Sequence, residues 1–425
     1  MKFTNFIAVW LVAIGSIAAC CALALADDAD SKSAEKPKSI AAKTPDTAAK
    51  SSSAEISTTE KTAVGATNTA DFEQVFAQWQ SVLSELAKLQ ILHRTASPEQ
   101  RAAMSAEIAD FVHKATALSA QLETSAEQAY AADANNRRAG DLLLTMAVAA
   151  LRKDDFDRAA QVAKFLIDHH YPGGEPLRIA ASSAFATMQF DDAKKYLAEL
   201  AIVNPGDPTS AAMQSAIDRY EPKWQREQKL RAAETKADDL PRVKLKTTQG
   251  DILVELFEND APNTVANFIS LVEKHFYDGS QFHRVLPGFM AQGGDPLSKD
   301  PKNDPATIGS GGPGYTIPDE CNLPNHREHF RGSLSMAHTG EPNSGGSQFF
   351  ICFVPTEQLD GKYTVFGRVI EGLDVLAKLQ RIDPSKEKEH SLGLLPDRIE
   401  KAEVLRKRDH AYEPTTIGKK PVAAP

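Results

Sequence analysis

Three stretches of the chain carry the side chains whose types and spacing could do chemistry. The first, residues 282–295, contains one arginine, Arg284, and one glutamine, Gln292, among large apolar residues. The second and third, residues 346–351 and 359–367, are mainly apolar and aromatic. None of them carries an obvious nucleophile. This inventory is unsuited to hydrolysis and suits a reaction in which an amide bond is rotated rather than cleaved.

Amide rotation sets its own chemical demands. A barrier of about 18–20 kcal/mol opposes it, because the C–N bond has partial double-bond character. The two isomers of an X-Pro bond lie close in energy, yet they exchange over roughly tens to hundreds of seconds. A catalyst must therefore bind the twisted amide better than either planar form. An apolar pocket would hold the proline ring, and an arginine, always charged and rigid, would stabilise the lone pair that localises on the nitrogen.

In their order along the chain, the three stretches resemble the active-site strands of the cyclophilins, a family of peptidyl-prolyl cis-trans isomerases. The resemblance covers about residues 241–407 and implies a closed antiparallel β-barrel with flanking helices. It implies that Arg284 is the catalytic cation and that Gln292 lies beside it, bonding the substrate backbone and orienting the guanidinium. It implies neither a cofactor nor a metal. The residues implied to bind the substrate are Phe289, Met290, Ala337, His338, Gln348, Phe350, Leu359 and Tyr363.

Some positions depart from the usual pattern of that family. Gln358 stands where many members carry a tryptophan that helps to bind cyclosporin, so we expect weak drug binding and intact isomerase activity. His338 replaces an asparagine at a position that mostly contributes backbone contacts. Tyr363 occupies a position where eukaryotic members often have histidine. The loop over residues 295–311 is longer than the family leads us to expect and would reshape one rim of the groove.

The local patterns in this half of the chain agree with a barrel of short strands. Residues 242–257 alternate between apolar and polar around Gln249-Gly250-Asp251, which predicts a hairpin. Residues 261–275 have helical spacing with Pro262 near the start. Glycine- and proline-rich turns dominate residues 309–318. Short antiparallel strands with such turns are typical of closed β architectures.

The cysteines and histidines of this region suggest little further chemistry. Cys321 and Cys352 could pair in an oxidising compartment. Cys352 follows the apolar residue Phe350, however, which favours a buried free thiol. His326 and His329 come closest to the spacing of metal ligands, but no carboxylate or cysteine partner forms a recognisable pattern with them. We therefore expect solvated loop histidines.

The first 26 residues have the layout of a secretory signal peptide. Lys2 precedes an apolar run over residues 6–19, and the small residues Ala24-Leu25-Ala26 follow before Asp27. We predict an exported protein, periplasmic or secreted. A transmembrane helix is one alternative. Another is a lipoprotein signal, because Ile17-Ala18-Ala19-Cys20 resembles a lipobox, and the protein would then be held at a membrane through Cys20.

Two segments are predicted to be disordered spacers. Residues 27–70 are mostly small and charged, with almost no large apolar side chain. Such a segment cannot bury enough surface to offset the loss of chain entropy. The tail, residues 408–425, has a similar composition.

Residues 71–238 are predicted to form an all-α helical repeat domain before the isomerase domain, residues 239–407. Phe156-Asp157-Arg158-Ala159 and Phe190-Asp191-Asp192-Ala193 are offset by 34 residues, a period that resembles tetratricopeptide repeats. A generic array of helical hairpins is the alternative. Either array would leave a concave face that could bind a peptide partner. The junction near Asp238 is short and polar, so we expect few contacts to cross it.

Composition limits the remaining function classes. A net charge of −9 in 425 residues, without a basic cluster, argues against nucleic acid as a partner. The sequence therefore predicts an exported prolyl isomerase that acts on proline-containing unfolded or extended polypeptides. The alternative is a module that binds proline peptides with little turnover while the helical array acts as a scaffold. Intact Arg284 and Gln292 favour the enzyme.

Overall fold

The computed structural model describes residues 55–300, 302–385 and 396–419. The predicted signal peptide lies outside the described residues. Within the described part of the chain, no helix is both long and apolar enough to cross a membrane. The helices are α1 (Glu55–Thr95), α2 (Pro98–Ala132), α3 (Arg137–Arg152), α4 (Phe156–Asp168), α5 (Glu175–Ala186), α6 (Phe190–Val203), α7 (Pro208–Ala237), α8 (Pro262–Glu273) and α9 (Leu373–Lys378).

Short strands are the main regular secondary structure of the C-terminal half. They are β1 (Arg242–Thr247), β2 (Gly250–Leu256), β3 (Arg284–Leu286), β4 (Met290–Gly293), β5 (Tyr315–Thr316), β6 (Ser333–Met336), β7 (Phe349–Cys352), β8 (Val365–Glu371), β9 (Ile399–Arg406) and β10 (Ile417–Lys419). The described chain divides into two compact units. One contains the residues up to Ala149 and Gln161–Pro172, and the other contains Ala150–Ala160 and the residues from Gly173 onward.

The long helices of the first unit bury the faces that their spacing predicts. Phe72, Trp79 and Leu86 of α1 are at most 2% exposed, and α1 packs along α2. Helix α1 begins at Glu55, so the prediction of a disordered spacer is wrong for residues 55–70. These sixteen residues include no proline, which would stop a helix, although most of them are only weak helix formers. They extend a helix that packing has already nucleated, at little further cost in free energy.

The two copies of the predicted repeat occupy equivalent local positions. Phe156 is the first residue of α4, and Phe190 is the first residue of α6. Both rings are 4% exposed, and Ala159 and Ala193 one turn later are fully buried. The pattern therefore marks the start of a helix in each copy, while the relation to tetratricopeptide repeats stays a prediction.

The second unit contains an eight-stranded antiparallel sheet in the order β3-β4-β7-β6-β8-β2-β1-β9. The predicted hairpin is confirmed, because β1 and β2 pair from Arg242↔Glu255 to Thr247↔Gly250. The prediction of a closed barrel is wrong: the curled sheet stays open, with β3 and β9 as its edges. Among the described residues, the isolated bridge Gln281↔Arg398 joins the chain just before each of these strands. The three residues of β3 are too short for a closing ladder.

The inner face of the sheet packs on the main core of this unit. Helix α8 covers it, and its Phe268 ring makes contacts with the rings of Tyr277, Phe349 and Phe366 at centroid distances of 5.0–5.5 Å. The helix itself confirms the pattern predicted around Pro262. Cys352 is a fully buried free thiol, as predicted, and Cys321 is also buried and free.

Helix α7 packs against the loop that precedes β6. The side chain of Arg327 is 1% exposed and donates hydrogen bonds to Glu227 at 2.9 and 3.0 Å and to Glu234 at 2.6 Å. The ring of Phe330 is fully buried, 4.9 Å from the ring of Trp224. The expectation that few contacts cross the junction near residue 238 is therefore wrong. The domain boundary at residues 238/239 stays a prediction.

The segment after β9 is folded, which contradicts the predicted disordered tail for residues 408–419. The ring of Tyr412 is 6% exposed, and its hydroxyl donates to Glu258 at 2.9 Å. Strand β10 pairs with β5. One aromatic side chain that finds both an apolar surface and an acceptor is enough to hold a segment that is otherwise polar.

Candidate active site

One row of side chains crosses the outer face of the sheet. Arg284 of β3 lies opposite Gln292 of β4, Gln292 lies opposite Phe350 of β7, and Phe350 lies opposite Ser335 of β6. Directly opposed residues in a sheet share a face, and neighbours along a strand point to the other face. Ala291 accordingly faces the core and is fully buried. The register of four strands therefore assembles the predicted catalytic pair beside the predicted pocket.

An apolar cluster separate from the main core surrounds this row. Its buried members are Met290, Phe350 and Cys352. Partly buried side chains pack against them, so the cluster opens towards solvent. They are Leu286, Phe289, Ala337, Leu359 and Tyr363. The structure thus brings together the six apolar and aromatic residues predicted to bind a substrate, and it adds Leu286 and Cys352, which sequence reasoning missed because they read as ordinary strand interior.

Aromatic contacts fix one wall of this pocket. The ring of Phe350 meets the ring of Tyr363 edge-on at 5.6 Å, and Tyr363 stacks on His338 at 4.1 Å. His338 Nδ1 accepts from the amide of Gly340 at 3.0 Å, and Nε2 lies 2.8 Å from the carbonyl oxygen of Lys362. These contacts fit a neutral imidazole protonated on Nε2. His338 therefore holds the Tyr363 ring in place through its side chain, whereas sequence reasoning gave the position mainly backbone contacts.

The guanidinium of Arg284 is available to a ligand. The side chain is half-buried, and its Cζ lies 5.8 Å from the centroid of the Phe289 ring. Within the described part of the chain, no carboxylate forms an ion pair with Arg284. A cation held over an aromatic face and left without a counter-ion can interact with charge that develops on a bound molecule.

Gln292 lies beside Arg284, as predicted, but its side chain points to another partner. Its amide donates to the side-chain oxygen of Gln348 at 2.9 Å. A hydrogen bond from Arg284 to Gln292 is not among those of the described residues, so the predicted orienting contact is not observed. The amide of Gln348 in turn donates to the carbonyl oxygens of Gly309 and Gly311, each at 2.9 Å. Gln348 thus ties the long loop to the site.

Asp295 anchors the start of the same loop. Its side chain accepts from the amide of Leu297 at 2.8 Å, from that of Gly311 at 3.2 Å, and also from that of Gly309. The loop is therefore ordered at the point where it meets Gln348. Sequence reasoning found the extra length of the loop but missed this anchor, because an aspartate before a turn has no distinctive spacing.

The Cys352 thiol of the pocket is not activated for covalent chemistry. Burial raises the pKa of the Cys352 thiol to about 12, so the thiol stays protonated near neutral pH. Within the described ranges, no group of three histidine, cysteine, aspartate or glutamate side chains is arranged to hold a metal ion. The site offers a cation, amide groups and an apolar pocket.

His329 corrects one prediction and adds a structural element to the site. It is fully buried rather than a solvated loop histidine, with Nδ1 2.9 Å from Asp360 Oδ1 and Nε2 3.1 Å from Ser335 Oγ. Burial lowers the pKa of His329, and this outweighs the opposing charge of Asp360. Its ring stacks on Phe350 at 5.9 Å with 8° between the planes. His329 therefore supports the floor of the pocket.

Comparisons with known proteins agree with this geometry. The model of the family "Cyclophilin type peptidyl-prolyl cis-trans isomerase/CLD" matches residues 242–404. A peptidyl-prolyl cis-trans isomerase of Synechococcus elongatus is 50% identical over 141 residues, which cover 33% of this chain and 88% of the relative. One of Helicobacter pylori is 44% identical over 160 residues, covering 36% and 91%. The peptidyl-prolyl cis-trans isomerase B of Bacillus subtilis is 47% identical over 133 residues, covering 31% and 85%.

Proposed function

Since the chain belongs to the family of cyclophilin-type peptidyl-prolyl cis-trans isomerases, we propose that it accelerates X-Pro isomerisation while extracytoplasmic proteins fold. Its substrates are proline-containing unfolded or extended polypeptides. The observation that carries the proposal is the row Arg284–Gln292–Phe350 beside an apolar pocket that opens to solvent.

The pocket acts on the ground state and the cation acts on the transition state. The proline ring is bound by apolar contact with Phe289, Met290, Phe350 and Leu359. The proline side of the X-Pro amide is thereby fixed. The preceding carbonyl group then rotates. Arg284 interacts with the proline nitrogen as its lone pair localises, and this interaction is stronger in the twisted state than in either planar state.

Polar groups beside the pocket hold the peptide backbone. The Gln292 side-chain oxygen remains available while its amide is bonded to Gln348. Ala337 and His338 follow directly after β6, where an extended peptide passing over Phe350 would run alongside them. No covalent intermediate and no cofactor enter this mechanism.

The pattern of the first 26 residues supports the cellular part of the proposal. Lys2, the apolar run over residues 6–19 and the small residues before Asp27 have the order of a secretory signal. The helical region before the isomerase domain binds a peptide segment in this proposal, and membrane attachment requires lipidation at Cys20. Mass spectrometry of the mature N-terminus tests it: an N-terminus at Asp27 supports export in soluble form, a lipid-modified Cys20 supports anchoring, and an intact leader contradicts cleavage by a signal peptidase and favours the transmembrane alternative.

Replacement of Arg284 tests the catalytic assignment. In a protease-coupled or NMR exchange assay on an Ala-Pro-Phe type peptide, Arg284→Ala should lower kcat/KM by about 10²–10³, the effect of removing one preorganised electrostatic donor. Arg101→Ala removes an exposed arginine of α2 and should leave the rate unchanged. A folded Arg284→Ala protein with near-normal rates would contradict the assignment. A wild-type protein that binds proline peptides without accelerating exchange would support the binding module instead.

A further inference from the structure

The turn between α3 and α4 contributes a buried carboxylate that the isomerase mechanism does not use. Asp154 is 5% exposed, and its backbone φ is +60°, in a region that residues other than glycine adopt only rarely. It lies outside residues 242–404, which the family model matches. Its side chain nevertheless reaches the hairpin that carries the catalytic arginine.

The first contact is at the turn of that hairpin. Asp154 Oδ1 accepts a hydrogen bond from the backbone amide of Gly288 at 2.8 Å. Gly288 has φ of +66° and lies between Leu286, the last residue of β3, and Phe289, whose amide donates to the Leu286 carbonyl at 3.2 Å. The carboxylate therefore fixes the turn that joins the strand beginning at Arg284 to the strand beginning at Met290.

The second contact reaches the middle of β3 through Arg381. Its Nη2 donates to Asp154 Oδ2 at 2.8 Å, and it also donates to the carbonyl oxygen of Lys153. The next residue, Ile382, exchanges both backbone hydrogen bonds with Val285, at 2.8 and 3.0 Å. Asp154 is thus linked to the hairpin at two points. One is the turn at Gly288, and the other, through Arg381 and Ile382, is Val285, the residue next to Arg284.

Such support matters because β3 is a three-residue strand at the edge of an open sheet. Strand β4 is fixed by its ladder with β7, whereas β3 has only three residues paired with β4, so the position of β3 depends on what else holds it and the turn. A displacement of 1 Å caused by a change remote from the chemistry can reduce a rate by about 100-fold. We propose that Asp154 is a positioning residue for isomerisation, which holds the β3–β4 hairpin and with it the Arg284 guanidinium. The proposal rests on the function assigned to Arg284 above.

Two replacements of Asp154 in the full chain separate its contacts. Asp154→Asn keeps an acceptor for Gly288 and tolerates a positive φ, but it removes the charge that pairs with Arg381. Asp154→Gly removes both contacts and adopts the same φ without strain. We expect kcat on a proline tetrapeptide to fall about tenfold in Asp154→Gly and by less in Asp154→Asn, within the roughly 100-fold range of a small misplacement. KM should change less than kcat, since Phe350, Leu359 and Tyr363 of the apolar pocket lie outside the hairpin.

A double-mutant cycle with Arg284→Ala distinguishes positioning from general damage. If Asp154 acts through Arg284, Asp154→Gly should cause no further loss of kcat in the Arg284→Ala background. Losses that multiply would overturn the proposal, as would an unchanged kcat in Asp154→Gly. The failure of the catalytic assignment would be seen separately, as a normal rate in Arg284→Ala alone.

Two further measurements control for folding. Asp192→Asn replaces an exposed aspartate in the first turn of α6 and should leave kcat unchanged. In Asp154→Asn, the NMR signals of the Gly288 amide and the Arg284 Nε–H should shift while signals of the main core stay in place. A variant that retains wild-type shifts at both groups would also overturn the proposal, and this readout does not depend on turnover.

Discussion

The buried ion pairs of Arg327 provide a strong test of how α7 stabilises the sheet unit. The guanidinium lies 3.9 Å from the centroid of the Phe257 ring and pairs with Glu227, Glu234 and, at 3.0 Å, Asp260. We predict that Arg327→Met destabilises this unit by about 3–5 kcal/mol, the range for removing one partner of a buried pair. Glu227 would be left 4% exposed, with the charge of Arg231 as partial compensation.

Two companion variants check the magnitude. Glu227→Gln should have a smaller effect of about 1–3 kcal/mol, because Arg327 keeps Glu234 and Asp260. The double variant Arg327→Met with Glu227→Leu should lose less free energy of unfolding than the two single variants lose together. The reason is that apolar replacement of a whole buried pair is often nearly neutral. Lys229→Met, which changes an exposed lysine on the same helix, should stay within about 0.5 kcal/mol of wild type.

The assay needs a probe that reports on this contact. Trp224 lies 4.9 Å from the Phe330 ring, whereas Trp79 belongs to α1. In a protein that starts at residue 27, and so lacks Trp10, and that carries Trp79→Phe, urea titration followed by tryptophan fluorescence therefore reports on Trp224 and the α7 contact. A change below about 1 kcal/mol in Arg327→Met would refute the reasoning, because it would mean that the pair contributes no more than an exposed one.

The same pair predicts a pH dependence with a defined sign. Burial alone would raise the pKa of Glu227, but hydrogen bonds and the charges of Arg327 and Arg231 outweigh it and hold the pKa below its ordinary value. The contribution of the pair is therefore present above the unfolded-state pKa of about 4.3 and is lost as the pH falls through the lower folded-state pKa. The difference between wild type and Arg327→Met should shrink over that acid range. A constant difference from pH 7 to pH 3 would contradict it.

Three further predictions follow from the site and the unit boundaries. Cyclosporin should bind poorly because Gln358 is exposed where an aromatic anchor is usual, and calorimetry should show Gln358→Trp binding at least ~1 kcal/mol more tightly. A fragment over residues 239–425 should unfold at lower urea concentration than one over residues 173–425, because it lacks Glu227 and Glu234. The native Cys352 thiol should react with a disulfide reagent at pH 8 far more slowly than the unfolded chain, since burial raises its pKa to about 12.

The site could be predicted because its residues sit in short, ordered motifs. Arg284, Gln292 and Phe350 were identified from the resemblance alone, and strand register then places them in one row. Register follows from the alternation of apolar and polar residues, since a slip of one position would turn Ala291 outward and Met290 inward. The roles of these residues in catalysis stay predictions that the Arg284→Ala assay tests.

Long-range polar partners could not be predicted in the same way. His329 and Arg327 lie in a loop with many charged neighbours, so their sequence context favours solvent exposure. Their burial depends on Asp360 and Glu227, far away in sequence, and a local pattern does not encode such pairs. The prediction that the sheet closes into a barrel was wrong for a related reason. Closure depends on how the two edge strands approach each other, and the sequence of either strand alone does not encode this.

The pocket wall at Leu359 depends on residues outside the matched family region, as the Arg284 hairpin does. The amide of Glu357 donates to the hydroxyl of Tyr220, and Lys223 of the same helix donates to Asp360 at 2.9 Å. Leu359 lies between these two points, in the short turn Glu357–Leu359. Because Asp360 also holds His329 under Phe350, helix α7 supports both a wall and the floor of the pocket. Helix α7 and the turn between α3 and α4 therefore contribute to the geometry of the site.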